Sequence, residues 1–180
     1  MSVPTHVDDC CLRFVRMYVQ QNVGRYVYGR LYYDAALVKR EEFYLSDLIN
    51  TKQLNVPDAK YTYKREFPDS FRDAFEMLMH KNGETQETMA EKLNTTDRTI
   101  RDWIKDPEKK ISIDFVVTIS LMWKLPDWIS RLLLESAGKI LNEKDRRHRA
   151  LSYILDILWD KGVEEANQYL TSQGLPILSI

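Results

Sequence analysis

The sequence predicts a mainly α-helical protein with a small α+β region at its N-terminus. From about residue 70 onward, apolar side chains recur three and four positions apart, which is the spacing of one face of a helix. Most of these apolar runs follow a Ser, Thr, Asp or Pro, the residue types that start helices. Before that point, a segment rich in tyrosine favours β-strands instead.

Composition narrows the class of protein further. Hydrophobic residues make up 44% of the 180-residue chain, which is enough for a packed core. No run of about 18 apolar residues is present, so we expect no membrane span. Residues 1–9 are polar and acidic, which argues against a signal peptide. The only cysteines, Cys10 and Cys11, are adjacent and lack metal-binding spacing, so we expect a reducing, cytoplasmic location.

The N-terminal region, residues 1–55, is predicted to combine a helix with a β-hairpin. Apolar positions indicate a helix over about 9–21, and the tyrosine-rich stretch 25–33 predicts a strand. A second strand over Glu41–Leu45 would complete the hairpin, and a short helix would follow near Ser46–Asn50. The tyrosines, with Arg25 and Arg30 between them, could stack on nucleic-acid bases; a half-buried hairpin is the interpretation we favour. Two prolines, Pro57 and Pro68, mark residues 56–69 as a linker.

Residues 70–137 are predicted to form a domain of five helices. The first covers Ser70–His80, and the fourth and fifth cover Ser112–Trp123 and Pro126–Ala137, with proline at the first helical position. Between them, Thr85 caps a helix to Leu93, Asn94 supplies a left-handed turn, and Thr96 caps the next helix. We expect the following side chains to point inward: Met89, Ala90, Leu93, Ile100, Trp103 and Ile104.

This central segment, Thr85–Lys105, has the pattern of a helix-turn-helix, although an ordinary helical hairpin would share its apolar spacing. Through Gln86, Ala90, the Asn94-Thr95-Thr96 turn, Thr99, Ile100 and Trp103, the segment resembles the Xre/Cro-like (phage lambda repressor-like) DNA-binding family. The resemblance extends over residues 70–137 and implies a five-helix DNA-binding domain. The chain departs from the family at Asp97 and Asp102, where Gln, Ser or Asn is frequent, and at Asn94, where glycine is common.

The resemblance also implies which side chains touch DNA. The second helix of the pair would read base edges, and Arg98 and Arg101 suit bidentate contact with guanine. The full base-reading set is Thr96, Asp97, Arg98, Arg101 and Asp102. The residues implied to contact phosphate are Thr85, Gln86, Lys105, Lys109 and Lys110.

Charge is the main argument against DNA binding. The chain carries a net charge of −1, and residues 71–110 hold eight basic and nine acidic side chains. Because phosphate neutralisation dominates DNA affinity, the basic side chains have to gather in one patch. We expect Arg98, Arg101, Lys105, Lys109 and Lys110 to form it, with Glu76, Glu84, Glu87 and Glu91 elsewhere.

The C-terminal extension, residues 138–180, is predicted to add two helices for packing or dimerisation. One covers 143–161 and ends at Gly162, and the last covers 163–172. The cluster of Lys144, Arg146, Arg147 and Arg149 could touch the DNA backbone, but a solvated helix start is the simpler interpretation. The apolar tail 175–180 is expected to dock on the core or on a second subunit.

These patterns predict a sequence-specific transcriptional regulator of bacterial or phage origin, a repressor that binds double-stranded DNA as a homodimer. The alternative is a protein-binding effector from a phage or mobile element, such as an antitoxin or a host-defence inhibitor of the anti-CRISPR kind. That effector would keep the domain as a scaffold or for autoregulation, and a protein partner could bind the N-terminal region. His6, His80 and His148 are scattered and no catalytic motif is present, so we expect no enzymatic activity, cofactor or metal.

Overall fold

The computed structural model of the chain describes residues 35–105 and 111–179. Within these ranges the chain forms helices and no strand, which confirms the mainly helical prediction. No helix in the described part combines the length and apolar character needed to cross a membrane. The helices are α1 Ala35–Lys52, α2 Val56–Glu66, α3 Phe71–Lys81, α4 Gln86–Lys92, α5 Asp97–Lys105, α6 Ile113–Met122, α7 Asp127–Ser136, α8 Arg146–Ile157 and α9 Val163–Ser172.

The five helices predicted between residues 70 and 137 are α3 to α7, and each lies within a few residues of its expected bounds. Ser70 and Ser112 act as N-caps, since their hydroxyl oxygens accept from the Asp73 N–H at 3.2 Å and the Phe115 N–H at 3.0 Å. Pro126 differs from the prediction: it is the N-cap of α7, with extended ψ of 143°, and Asp127 is the first helical residue.

The predicted β-hairpin is not supported, because its second strand is helical. Residues 41–45 lie inside α1, and so does the short helix expected near residues 46–50. Glu41, Tyr44 and Leu45 are buried and Leu48 is half-buried, a spacing that places all four on one helical face. Burial of this face stabilises the helix by more than the strand propensity of Phe43 and Tyr44 favours a strand. The expected helix over 9–21 and the strand over 25–33 lie outside the described residues.

The segment expected to act as a linker forms α2. Asn55 caps this helix by accepting from the Asp58 N–H at 3.0 Å, and Pro57 occupies its first turn, where a missing N–H costs nothing. Lys60 of α2 reaches Glu41 of α1 at 3.0 Å, and the Trp128 indole of α7 donates to the same carboxylate at 2.8 Å. A nearly buried carboxylate therefore joins three helices.

Helix α6 lies at the centre of the compact unit formed by residues 39–180. Its residues 115–121 are all buried, and it packs against α7, α8 and α9. An aromatic cluster connects it to α3 and α5, since Phe75 lies 5.4 Å from Trp123 and Trp103 lies 4.1 Å from Phe115 between ring centroids. The α5 helix is therefore supported by the middle of the core.

A polar network holds α1 on the ends of α3 and α6. The Arg40 guanidinium donates to Asn82 Oδ1 at 2.8 Å and to the carbonyls of Trp123 and Lys124, which end α6. The Tyr44 hydroxyl donates to the same Asn82 oxygen at 3.0 Å. Burial raises the pKa of Tyr44 and outweighs the opposing effect of Arg40, so the phenol stays neutral.

The C-terminal region differs from its prediction in the helix bounds. Helix α8 ends at Ile157, and Gly162, expected as its C-cap, precedes α9 instead with φ of +94°. The last helix has the bounds that were predicted. The tail docks on the core, as one of the two expectations had it: the Leu178 N–H donates to Asn167 Oδ1 at 2.8 Å and the Leu178 side chain is buried.

The basic cluster at the start of α8 holds this tail. Arg147 forms an ion pair with Asp114 at 2.7 Å and donates to the carbonyls of Pro176 and Ile177. Arg146 donates to the Gln173 carbonyl at 2.6 Å. At least these two guanidiniums thus have an intramolecular role, so the cluster is not a plain solvated surface.

Candidate nucleic-acid interface

Helices α4 and α5 pack against each other and are joined by residues 93–96. The first helix starts with a reciprocal cap: the Thr88 N–H donates to the Thr85 hydroxyl at 3.2 Å, and the Thr85 N–H donates to the Thr88 hydroxyl at 2.8 Å. This confirms Thr85 as the N-cap and fixes where α4 begins.

The turn has the conformation that the sequence predicts. Asn94 has a φ of +49°, in the left-handed region, and its position allows the Thr95 N–H to donate to the Ala90 carbonyl at 2.9 Å. Thr96 then caps α5, because its hydroxyl accepts from the Thr99 N–H at 3.2 Å. Two local side-chain preferences therefore set the angle at which α5 leaves α4.

The inward faces of both helices are also as expected. Met89, Ala90 and Leu93 of α4 are buried, and so are Ile100 and Ile104 of α5. Trp103 is partly exposed but packs on the core through Phe115. Fixing these side chains in the core leaves the opposite face of α5 pointing outward.

That outward face carries the predicted base-reading residues. Thr96, Arg98, Arg101 and Asp102 are exposed, while Asp97 is half-buried in the first turn. The Arg98 side chain is 88% exposed, and its Nε lies 4.0 Å from Asp102 Oδ2, one turn later on the same helix. A pair this exposed is weak, so the guanidinium can leave Asp102 for another acceptor.

The charge of one carboxylate acts on the predicted basic patch, although we expected that side chain to lie elsewhere. The pKa of Glu87 is lowered first by the Thr85 hydroxyl and by its own backbone N–H, and the positive charge of Arg101 adds a smaller effect in the same direction. The Glu87 carboxylate therefore stays ionised at neutral pH.

The residues implied to contact phosphate divide into two groups. Thr85 is exposed but its hydroxyl serves the cap and Glu87, and Gln86 is half-buried at the first position of α4. Lys105 ends α5, but its side chain lies outside the described residues, as do Lys109 and Lys110. The structure thus brings Thr85, Glu87, Arg101 and the Arg98–Asp102 pair to one surface, and leaves the lysine contribution a prediction.

The charge of Glu84, just before α4, is balanced by Lys92 near the end of that helix. Burial raises the pKa of Glu84, but hydrogen bonds from Lys92 and from Thr88 outweigh this effect and hold the pKa below its ordinary value. The charge of Lys92 is used in this ion pair. The Glu84–Lys92 pair therefore adds no net charge to the α4–α5 surface.

Sequence patterns could not indicate the electrostatic interaction of Glu87 with Arg101, because the two residues lie on different helices and their separation depends on the angle of the turn. In chemical terms the surface offers two exposed guanidiniums with carboxylates near them. Planar guanidiniums donate two parallel hydrogen bonds to a base edge, a phosphate or a carboxylate. No protein-family model matches this chain, and no curated protein or solved structure is significantly similar to it.

Proposed function

We propose that this protein is a sequence-specific DNA-binding transcriptional regulator of the Xre/Cro-like kind, acting as a repressor. The observation that supports this most is the two-sided character of α5. Ile100 is fully buried while Arg98, two positions earlier, is 88% exposed, so the helix is held rigidly with its arginine-bearing face outward. A supported helix with an exposed polar face, preceded by a short turn and a second helix, fits the major groove.

In the proposed mechanism α5 enters the major groove with its first two turns. Arg98 and Arg101 donate to O6 and N7 of guanine, while Asp97 or Asp102 accepts from cytosine N4 or orients an arginine. Two copies would place their α5 helices about 34 Å apart on a near-palindromic operator. Occupying that operator would exclude RNA polymerase.

Carboxylates near the proposed reading helix favour sequence selectivity over affinity. Asp102 lies 4.0 Å from Arg98, and the Glu87 carboxylate of α4 interacts electrostatically with Arg101, so a nonspecific duplex gains little from phosphate contact and still meets two negative charges. Only a sequence that offers good acceptors to both guanidiniums compensates for the loss of these interactions.

Selection of bound duplexes from a random DNA pool tests the proposal directly. We expect an inverted repeat whose half-sites are one helical turn apart, with guanine at the positions that Arg98 and Arg101 contact. Selection uses the full chain at low salt, because low salt strengthens contacts with phosphate and makes the test most sensitive. Failure to enrich any duplex under those conditions would refute the regulator proposal, and enrichment of a single half-site would refute the dimeric part.

The second candidate function, binding of another protein, is favoured by the same carboxylates. A surface that carries the Arg98–Asp102 pair, Arg101 and the Glu87 carboxylate suits a protein partner with both signs of charge better than it suits a polyanion. If the effector keeps the domain only as a scaffold, the duplex selection yields nothing, whereas reversing the charge of Arg98 or Arg101 still weakens a protein complex.

Substituting Glu87→Gln tests whether the negative charge of Glu87 weakens DNA binding. The change removes a negative charge next to Arg101 while keeping a polar side chain, so we expect DNA affinity to rise about threefold to tenfold at low salt and the gain to shrink as salt is added. Fluorescence anisotropy of a labelled duplex measures it. Glu91→Gln, an exposed carboxylate later on the same helix, is the matched control and should have a smaller effect. Equal gains from both variants would contradict the placement of Glu87 at the interface.

A further inference from the structure

Helices α8 and α9 form an antiparallel pair whose two tyrosines meet. The rings of Tyr153 and Tyr169 stack with centroids 4.8 Å apart. Arg146 at the start of α8 donates to the carbonyl of Gln173, just beyond the end of α9, at 2.6 Å. The start of one helix therefore lies beside the end of the other.

The outward side of this pair exposes several apolar side chains to solvent. Tyr153 and Ile157 stand one turn apart on α8, and each is 42% exposed. Tyr169 lies against Tyr153 and is half-buried. Burial of these side chains by another surface would remove apolar area from water.

Charges of opposite sign lie at the two ends of the apolar strip. Arg149 is exposed and one turn before Tyr153 on the same face of α8, and Glu165 is exposed and one turn before Tyr169 on α9. Because the helices are antiparallel, Arg149 and Glu165 lie toward opposite ends. We call these five residues the α8–α9 face: Arg149, Tyr153, Ile157, Glu165 and Tyr169.

We propose that the α8–α9 face binds the same face of a second copy of this chain. A two-fold interface needs a surface that complements itself after a half-turn. Rotating the face in this way puts Tyr153 of the two copies together near the axis and sets Arg149 of each copy opposite Glu165 of the other. A polyanionic partner would gain nothing from the acidic end, so charge favours a second copy.

The dimer buries a small area. Helix α8 has 12 residues and is therefore about 18 Å long, so two such helices offer a face at the low end of specific protein interfaces. We accordingly expect a reversible dimer whose average mass rises with protein concentration. The pairing deepens the proposed function, since it names the surface that would join two copies on an operator, but it requires no DNA and is tested without any.

Sedimentation equilibrium of the full chain, over a wide concentration range, measures the dimer. Arg149→Glu and Glu165→Arg each replace two attractive pairs by two repulsive ones, so we expect each to weaken dimerisation about tenfold. The double variant restores both pairs with their signs exchanged, and we expect its dissociation constant to return to within about threefold of the original. Tyr153→Glu should give a monomer.

Two controls distinguish a loss of dimerisation from a loss of folding. Tyr61→Glu introduces the same change at a tyrosine of α2 that is 69% exposed and should leave dimerisation unchanged. Arg149 also donates to the Glu143 carbonyl at 3.0 Å, a bond that the double variant does not restore, so recovery in that variant cannot come from local structure. A wild-type chain that stays monomeric at every concentration overturns the proposal, and so does a double variant no better than either single one. Either result leaves the duplex selection, and with it the proposed function, to be decided separately.

Discussion

Replacing Arg98 and Arg101 together by alanine is expected to abolish sequence-specific duplex binding. Each guanidinium that contacts a guanine contributes about 1–3 kcal/mol of discrimination, so losing both should weaken binding to the selected operator at least about thirtyfold. Both side chains are exposed, and the buried side of α5 rests on Ile100 and Ile104. The double variant should therefore keep its helical content and its thermal stability.

The control for this experiment is Arg65→Ala. Arg65 is an arginine of α2 with 66% side-chain exposure and a neighbouring carboxylate, Glu66, at 3.6 Å. It thus matches Arg98 in charge, exposure and ion pairing, but lies outside the proposed reading helix. We expect operator affinity and its salt dependence to be nearly unchanged in this variant. Binding that survives in the double variant would refute the residue assignment.

A lysine substitution separates hydrogen-bond geometry from charge. Arg98→Lys keeps the positive charge but cannot form two parallel hydrogen bonds to guanine. If Arg98 reads a base, this variant should bind nonspecific duplexes as the wild type does and lose preference at a single operator position. If Arg98 contacts only phosphate, the selected sequence would stay the same.

Replacing Lys60 by methionine is expected to lower the free energy of unfolding by about 3 kcal/mol at neutral pH. Lys60 Nζ lies 3.0 Å from Glu41 Oε1, and the two side chains are only 17% and 8% exposed. Removing the lysine leaves a carboxylate nearly buried between α1, α2 and α7, with the Trp128 indole as its remaining donor among the described contacts. Chemical denaturation followed by circular dichroism measures the loss.

Lys52→Met is the matched control. Lys52 also pairs with a carboxylate at 3.0 Å, that of Glu66, but these two side chains are 48% and 45% exposed. Because solvent screens exposed pairs and hydrates the carboxylate that remains, the same substitution should change the stability little. Similar losses in the two variants would contradict burial as the cause.

A second substitution tests whether the unpaired charge of Glu41 causes the loss of stability in Lys60→Met. Combining Lys60→Met with Glu41→Gln removes the buried charge and keeps an oxygen that can accept from the Trp128 N–H. We expect most of the lost stability to return, since a neutral hydrogen-bonded amide costs far less to bury than an unpaired carboxylate. Continued instability of the double variant would point to lost packing of the Lys60 chain instead.

The parts of the fold that the sequence predicted correctly are those decided within a few residues. Asn94 tolerates the left-handed conformation, and Thr85 and Thr96 supply hydroxyls to the first turn of a helix, independently of the rest of the chain. The helices between residues 70 and 137 follow from such caps and from regular apolar spacing.

The wrong prediction of a strand over residues 41–45 concerns residues whose environment is made by distant parts of the chain. Residues 41–45 were expected to form a strand because aromatic residues such as Phe43 and Tyr44 favour strands. Glu41 is buried only because Lys60 and Trp128, on two other helices, satisfy its carboxylate. With Glu41 counted as buried, the pattern is helical.

For the candidate interface, the sequence by itself determined which side chains α5 can offer, since Ile100 and Ile104 fix the inward side and the remaining residues must face out. Only the tertiary structure decided what lies beside them. Glu87 and Arg101 are on different helices, and their approach depends on how the turn at Asn94 orients α5 against α4. Local periodicity specifies the faces of a helix, whereas the electrostatic field on a face depends on charges brought near by packing.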